Sequence, residues 1–251
     1  MGQDFSGRTA LGTGAASCLG EACAQWLDPH GIERLVLVDM DGARLDGLAL
    51  SCTVIRHVGS VADEALWDRI EAETGPLHHA VINAGIADGA PIVRQSLDGW
   101  RAMHQVNLEG AFLSLRAALR LMAATSGARS AVLTSSVAGV KPLAGTCAYG
   151  TTKAAVAHLA KVAALEHSDI RINAIAPGRV QTPIWTKTAQ FRAMVEQYGS
   201  EEAAMAALVA EVSTNERVAQ AEDMAEQIGF LLSDAAWTIT GQVIVSDCGY
   251  R

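Results

Sequence analysis

Tyr149 and Lys153 stand four residues apart. On a helix they share one face, with about 5 to 6 Å between their β-carbons. A phenol has an ordinary pKa of about 10 and a neighbouring cation favours its ionised form, so such a pair can pass a proton near neutral pH. Ser135 and Ser136 lie upstream, at the end of the apolar run Ala131-Val132-Leu133-Thr134. That run reads as a buried parallel strand. Ligands of open α/β sheets bind outside the carboxyl ends of the strands, so a serine there is placed to hydrogen-bond a substrate oxygen. Taken alone, each feature is equally an ordinary surface pair or a turn-forming serine.

The elements that must carry these residues supply the context. A short strand at Thr9 to Leu11 runs into Thr13-Gly14-Ala15-Ala16-Ser17-Cys18-Leu19-Gly20, and an amphipathic helix follows with Leu19, Cys23, Trp26 and Leu27 on one face. Strand, small-residue turn and helix N-terminus together let backbone N–H groups and the helix dipole meet a pyrophosphate. About twenty residues on, the apolar strand Leu35-Val36-Leu37-Val38 ends in Asp39, where a carboxylate accepts from ribose hydroxyls. The same carboxylate would repel a 2'-phosphate, and Ala15, Ala16 and Met40 offer no cation to offset it. NAD is therefore expected over NADP. Arg44 is the one nearby cation weighed against this, and it reads as a solvated helix residue.

Further along, Asn83-Ala84-Gly85 follows a strand at His79 to Ile82, and Asn107 sits in the long central helix. Pro177-Gly178 closes the sixth strand, with Thr182 just beyond. In this order the motifs resemble the short-chain dehydrogenase/reductase family along nearly the whole chain.

The resemblance implies a single Rossmann-type α/β domain over residues 1–251, a doubly wound parallel sheet with helices on both faces. Its implied catalytic set is Asn107, Ser136, Tyr149 and Lys153. Ser136 orients the substrate oxygen and Tyr149 exchanges the hydroxyl proton. Lys153 lowers the tyrosine's pKa and holds the nicotinamide ribose, and Asn107 positions a water that links the lysine to solvent. Dinucleotide contacts are implied at Gly14, Ser17, Cys18, Leu19, Gly20, Asp39, Ser60, Val61, Asn83, Ala84, Gly85, Tyr149, Lys153, Pro177, Gly178, Val180 and Thr182. No metal is required. The activity implied is hydride transfer between NAD(H) and a secondary alcohol or ketone.

Three positions depart from the family pattern. Cys18 replaces a glycine or alanine, Gly12 a branched residue, and Ser60 an aspartate that contacts adenine. Cys18 is a tolerated small side chain or a thiol at a helix N-terminus open to oxidation. The segment from about 183 to 218 corresponds to the family's substrate lid. Here it carries Trp185, Phe191, Met194, Tyr198, Met205 and Leu208, which suggests a bulky or cyclic apolar substrate. Lys141 and Arg179 keep open an anionic or acyl-carrier substrate. A non-catalytic NAD-binding regulator and a related epimerase or dehydratase are the remaining alternatives.

At 251 residues, half of them apolar, the chain can bury one substantial core. A net charge of −8 without basic clusters argues against nucleic acid or anionic membranes as partners. Five cysteines without metal-ligand spacing suit reduced thiols in the cytoplasm, and no apolar run reaches bilayer-spanning length. The family's habit of assembling through its two long helices predicts a homo-oligomer, a tetramer or dimer, with Ala117, Ala118, Leu121, Ala155, Leu159 and Val162 either on the outward helix faces or packed internally.

Overall fold

A computed structural model describes residues 3–181, 189–212 and 218–249. Seven strands form one sheet: β1 (Thr9–Thr13), β2 (Arg34–Asp39), β3 (Thr53–Val58), β4 (His79–Ile82), β5 (Ser130–Thr134), β6 (Arg171–Pro177) and β7 (Val243–Ser246). Their spatial order is β3-β2-β1-β4-β5-β6-β7, and every pairing is parallel. Strands such as Leu35–Val38 and Ala131–Leu133 are apolar on both sides because helices cover both faces.

The helices in chain order are α1 (Cys18–Leu27), α2 (Gly42–Asp46), α3 (Glu64–Thr74), α4 (Leu97–His104), α5 (Gly110–Ala123), α6 (Cys147–Glu166), α7 (Ala189–Tyr198), α8 (Glu201–Val212) and α9 (Ala221–Leu232). One core layer packs residues of α1 and α9 against the sheet, and the other packs residues of α3, α5 and α6. As the burial of Leu19, Cys23 and Leu27 shows, α1 presents the face read from its spacing. Gly229 of α9 lies so close to α1 that a β-carbon there would fall 2.2 Å from the Trp26 ring. Strand order reverses between β1 and β4, and ligands of doubly wound sheets occupy the crevice at that point.

Of the two placements open to them, Ala117 and Ala118 take the internal one. Both are fully buried in the α3/α5/α6 layer, with Leu121 and Leu159 packed against it. An alanine-rich helix has small residues on every side, so its composition does not reveal which side faces solvent. Val162 is exposed as expected, and the other exposed large apolar residues of α5 and α6 are Phe112 and Leu165. Thr182, Pro183 and Trp185 lie outside the described residues, as does the side chain of Leu208. Within α7 and α8, Phe191 is buried, Met194 and Met205 are half-buried, and Tyr198 is exposed. Among the described residues no helix is long and apolar enough to cross a membrane, and no cluster of side chains could hold a metal ion.

Candidate active site

Small residues bring the catalytic candidates together. After β5 a short 3-10 turn, Val137–Gly139, lies against α6. A β-carbon on Gly139 would fall 2.6 Å from the Lys153 carbonyl carbon, and one on Gly150 2.8 Å from the Ala138 oxygen. That close approach brings the Ser136 side chain beside the Tyr149 phenol. Ser136 Oγ also accepts from Ala138 N (3.2 Å). Next to it, Ser135 donates its hydroxyl to the Lys153 carbonyl (2.8 Å).

Lys153 is almost wholly buried, and its Nζ donates to the Thr134 carbonyl at 2.8 Å. Burial pushes its pKa down to about 8. Nζ lies 5.8 Å from the centre of the Tyr149 ring. Burial pushes the phenol up from its ordinary value, and the Ser136 hydrogen bond opposes this in part. The direction is thus upward, opposite to the lowering that the helical spacing suggests. Desolvation disfavours both charged forms, and the ammonium's hydrogen bond goes to a carbonyl rather than to the phenol.

Asn107 lies in a π-helical segment, Gln105–Glu109, between α4 and α5. Such bulges interrupt the regular carbonyl ladder and concentrate at functional sites. Its Oδ1 accepts from Ile86 N (2.8 Å), while Nδ2 donates to Ile86 O (2.9 Å) and Thr152 Oγ1 (3.3 Å). Gly85 separates it from the lysine: a β-carbon there would lie 3.2 Å from Asn107 Oδ1 and 3.3 Å from Lys153 Nζ.

At the other end of the crevice, Asp39 accepts from Ala16 N through Oδ2 and from Asp41 N through Oδ1, both at 2.9 Å. Gly14 adopts a φ of 64°, and a β-carbon there would fall 2.9 Å from the Ala84 Cα. Thr13 Oγ1 accepts from the N–H groups of Asn83 and Ala84, tying the first turn to the Asn83-Ala84-Gly85 turn. Cys18 has a φ of 52°, so a glycine in this place answers a backbone requirement as well as a need for space. Gly20 is held by packing, since its β-carbon would fall 2.0 Å from the Gly14 oxygen. Arg44 is exposed and lies 3.6 Å from the Asp41 carboxylate. Lys141 is engaged with Asp247 at 3.2 Å, across the Pro177-Gly178 turn from its own loop.

These groups line one cleft of about 360 Å³. Its wall includes Gly14, Ser17, Cys18, Leu19, Asp39, Ser60, Val61, Asn83, Ala84, Gly85, Ser136, Tyr149, Lys153, Pro177, Gly178 and Val180, all expected from the sequence. Gly20 and Asn107 stand behind that wall. The lining also holds Met40, Gly59, Ile86, Val106, Thr134 and Ser135. Met40, Gly59, Ile86, Val106 and Ser135 each adjoin an expected residue in the chain and Thr134 lies one position further, and that proximity was the signal available for them. Left-handed turns at Gly14 and Cys18, the absence of space for a side chain at Gly85, and a carboxylate at Asp39 fit a dinucleotide.

A family model described as enoyl-(acyl carrier protein) reductase matches residues 14–251. Cis-4-hydroxycyclohexanecarboxylate dehydrogenase of Sinomonas cyclohexanicum is 36% identical over 262 residues, spanning 100% of this chain and 99% of that protein. The chain belongs to the short-chain dehydrogenase/reductase family. Cyclohexanol dehydrogenase of Acinetobacter sp. (strain SE19) is 31% identical to this chain, over 100% of it and 97% of that protein. Among solved structures, L-sorbose reductase from Gluconobacter frateurii, complexed with NADPH and L-sorbose, superposes with a TM-score of 0.91. It is 26% identical, and the match covers 99% of this chain and 98% of that one. Members of this short-chain dehydrogenase/reductase family bind a nicotinamide cofactor.

Proposed function

We propose that the protein is an NAD(H)-dependent dehydrogenase that interconverts a cyclic secondary alcohol and its ketone. The observation that carries this reading is the convergence of Ser136, Tyr149 and Lys153 at one end of a cleft whose other end carries Asp39. When bound, the cofactor supplies hydride transfer to or from the substrate carbon. Ser136 holds the substrate oxygen, and the neighbouring Tyr149 hydroxyl takes or gives its proton. Lys153 uses one donor on Thr134 O, which leaves two for ligand hydroxyls. Asn107 fixes the Ile86 backbone and keeps the Gly85 turn pressed against the lysine.

Asp39 supports NAD over NADP, because both its oxygens are anchored on backbone N–H groups and its charge would repel a 2'-phosphate bound there. Arg44, directed to Asp41, does not offset that charge. The cyclic substrate rests on the two cyclohexane-ring dehydrogenases among the relatives. Exposed Phe112, Val162 and Leu165 on the two long helices support assembly into a homo-oligomer, which light scattering after size exclusion would test. A cytoplasmic enzyme fits the reduced cysteines.

The test is nicotinamide absorbance during incubation with NAD or NADP and a panel of cyclic alcohols, with and without a ring carboxylate. Turnover with NAD that disappears in Tyr149→Phe is the expected result. Better turnover with NADP would overturn the role of Asp39. Silence across the panel with intact NADH binding would favour the non-catalytic regulator.

A further inference from the structure

The loop Gly59 to Asp63 closes the end of the cleft that carries Asp39. Gly59 N donates to the Asp39 carbonyl at 2.9 Å, and Gly59, Ser60 and Val61 line the cleft. Ser60, standing where the family pattern has an aspartate, uses its hydroxyl locally: Oγ accepts from Ala62 N at 3.2 Å. The loop is held instead from behind. Trp67 of α3 is fully buried, and its indole Nε1 donates to the Val61 carbonyl at 2.8 Å. On the opposite side Gly110 opens α5, and a β-carbon there would fall 2.5 Å from Val61 Cγ2. Val61 is thus gripped between two helices, one of which begins directly after the segment that carries Asn107.

We propose that Trp67 is a positioning residue for the adenosine half of the dinucleotide. Its N–H fixes the Val61 peptide, so that the valine side chain stands as an apolar wall for the base. The inference rests on the dinucleotide reading above. A buried carbonyl that loses its only side-chain donor is left unpaired, and a five-residue loop relieves this by turning. That turn moves Val61 out of register with the base and leaves the Tyr149 end untouched. Ser60, with its hydroxyl already engaged, does not compensate.

Trp67→Phe keeps the ring and removes the donor. Calorimetric titration of the full-length protein with ADP-ribose and with NADH reads the effect directly. Both dissociation constants are expected to rise about tenfold, which corresponds to about 1.4 kcal/mol. In turnover the KM for NADH rises while kcat is unchanged. Val61→Ala, which removes the wall and leaves Trp67 in place, is expected to raise both dissociation constants as well and serves where Trp67→Phe does not fold. Wild-type affinity for ADP-ribose in either variant would overturn the proposal. A fall of kcat in step with the rise in KM would do so as well, since that marks general loosening. A wild-type protein that binds neither ligand would instead remove the cofactor reading, and this inference with it.

Discussion

In the proposed mechanism Lys153 is a catalytic residue that works against the fold that holds it. Its pKa is about 8 in the folded chain against an ordinary 10.5. Between these values the unfolded chain holds the proton and the folded chain releases it. Below pH 8 the folded state must bury the charge, so the destabilisation is complete there and is relieved as pH rises from 8 towards 10.5. Lys153→Met should therefore stabilise the ligand-free protein at pH 7 by about 2 kcal/mol in urea denaturation while turnover is lost. An equal or lower stability would mean that the lysine is better solvated than its burial indicates. The same titration gives a second expectation. Dinucleotide affinity, measured by NADH fluorescence, should decline as pH passes through 8, because a neutral amine is the weaker donor to ribose hydroxyls.

At the scale of the element, the turns are built from backbone requirements, and two substitutions test them. Cys18, the first residue of α1, sits at φ 52°. Left-handed backbone costs a non-glycine residue roughly 1 to 2 kcal/mol. Cys18→Gly should raise the melting temperature by the equivalent of about 1 kcal/mol, allowing for the greater freedom of glycine in the unfolded chain. Gly85→Ala should do the opposite to function. Its β-carbon would press on Asn107 Oδ1 at 3.2 Å and Lys153 Nζ at 3.3 Å. A tenfold or greater loss of kcat is expected with little change in stability, since misplacement of about an ångström is costly to catalysis. These turns were legible in the sequence because glycine, proline and strand-terminal residues at fixed order leave few other structures. The strands around them were legible because apolar runs on both faces demand covering helices. The π segment at Asn107 was not, since it arises from how α4 and α5 are held across a one-residue change in helical register. Nor was the upward push on Tyr149, which follows from desolvation rather than from spacing. Lys141 and Asp247 lie 106 residues apart, and only the folded chain brings them together.

For the molecule as a whole, the cleft at the carboxyl ends of the strands has a counterpart at the opposite edge of the sheet, where arginines at strand starts meet helix C-termini. Arg171 donates to the carbonyls of Leu231, Leu232 and Ser233, and Arg129 to that of Met122, at the ends of α9 and α5. Cations there complement the helix dipoles. Between them runs a directed chain. Arg8 can only donate, so His79 Nε2 accepts from it (3.4 Å) and the imidazole must donate from Nδ1 to Ser130 Oγ (2.9 Å). Ser130 in turn donates to the Leu232 carbonyl (2.8 Å). The chain ties β1, β4, β5 and α9 together only while His79 is neutral. Burial, and after it the Arg8 guanidinium, push its pKa down to about 3 from the ordinary 6.5. Below pH 6.5 the unfolded chain takes up a proton that the folded chain refuses until about pH 3, so stability falls with acidification across that window. About 2 kcal/mol should be lost to this group between pH 7 and pH 5, at about 1.4 kcal/mol per pH unit below 6.5. His57, also lowered by burial, adds a contribution of the same sign. Urea midpoints at the two pH values read the total, and His79→Gln, which keeps a donor and an acceptor but does not titrate, isolates the His79 share. If the variant's midpoint falls as steeply as that of the wild type, the acid sensitivity lies elsewhere than in His79.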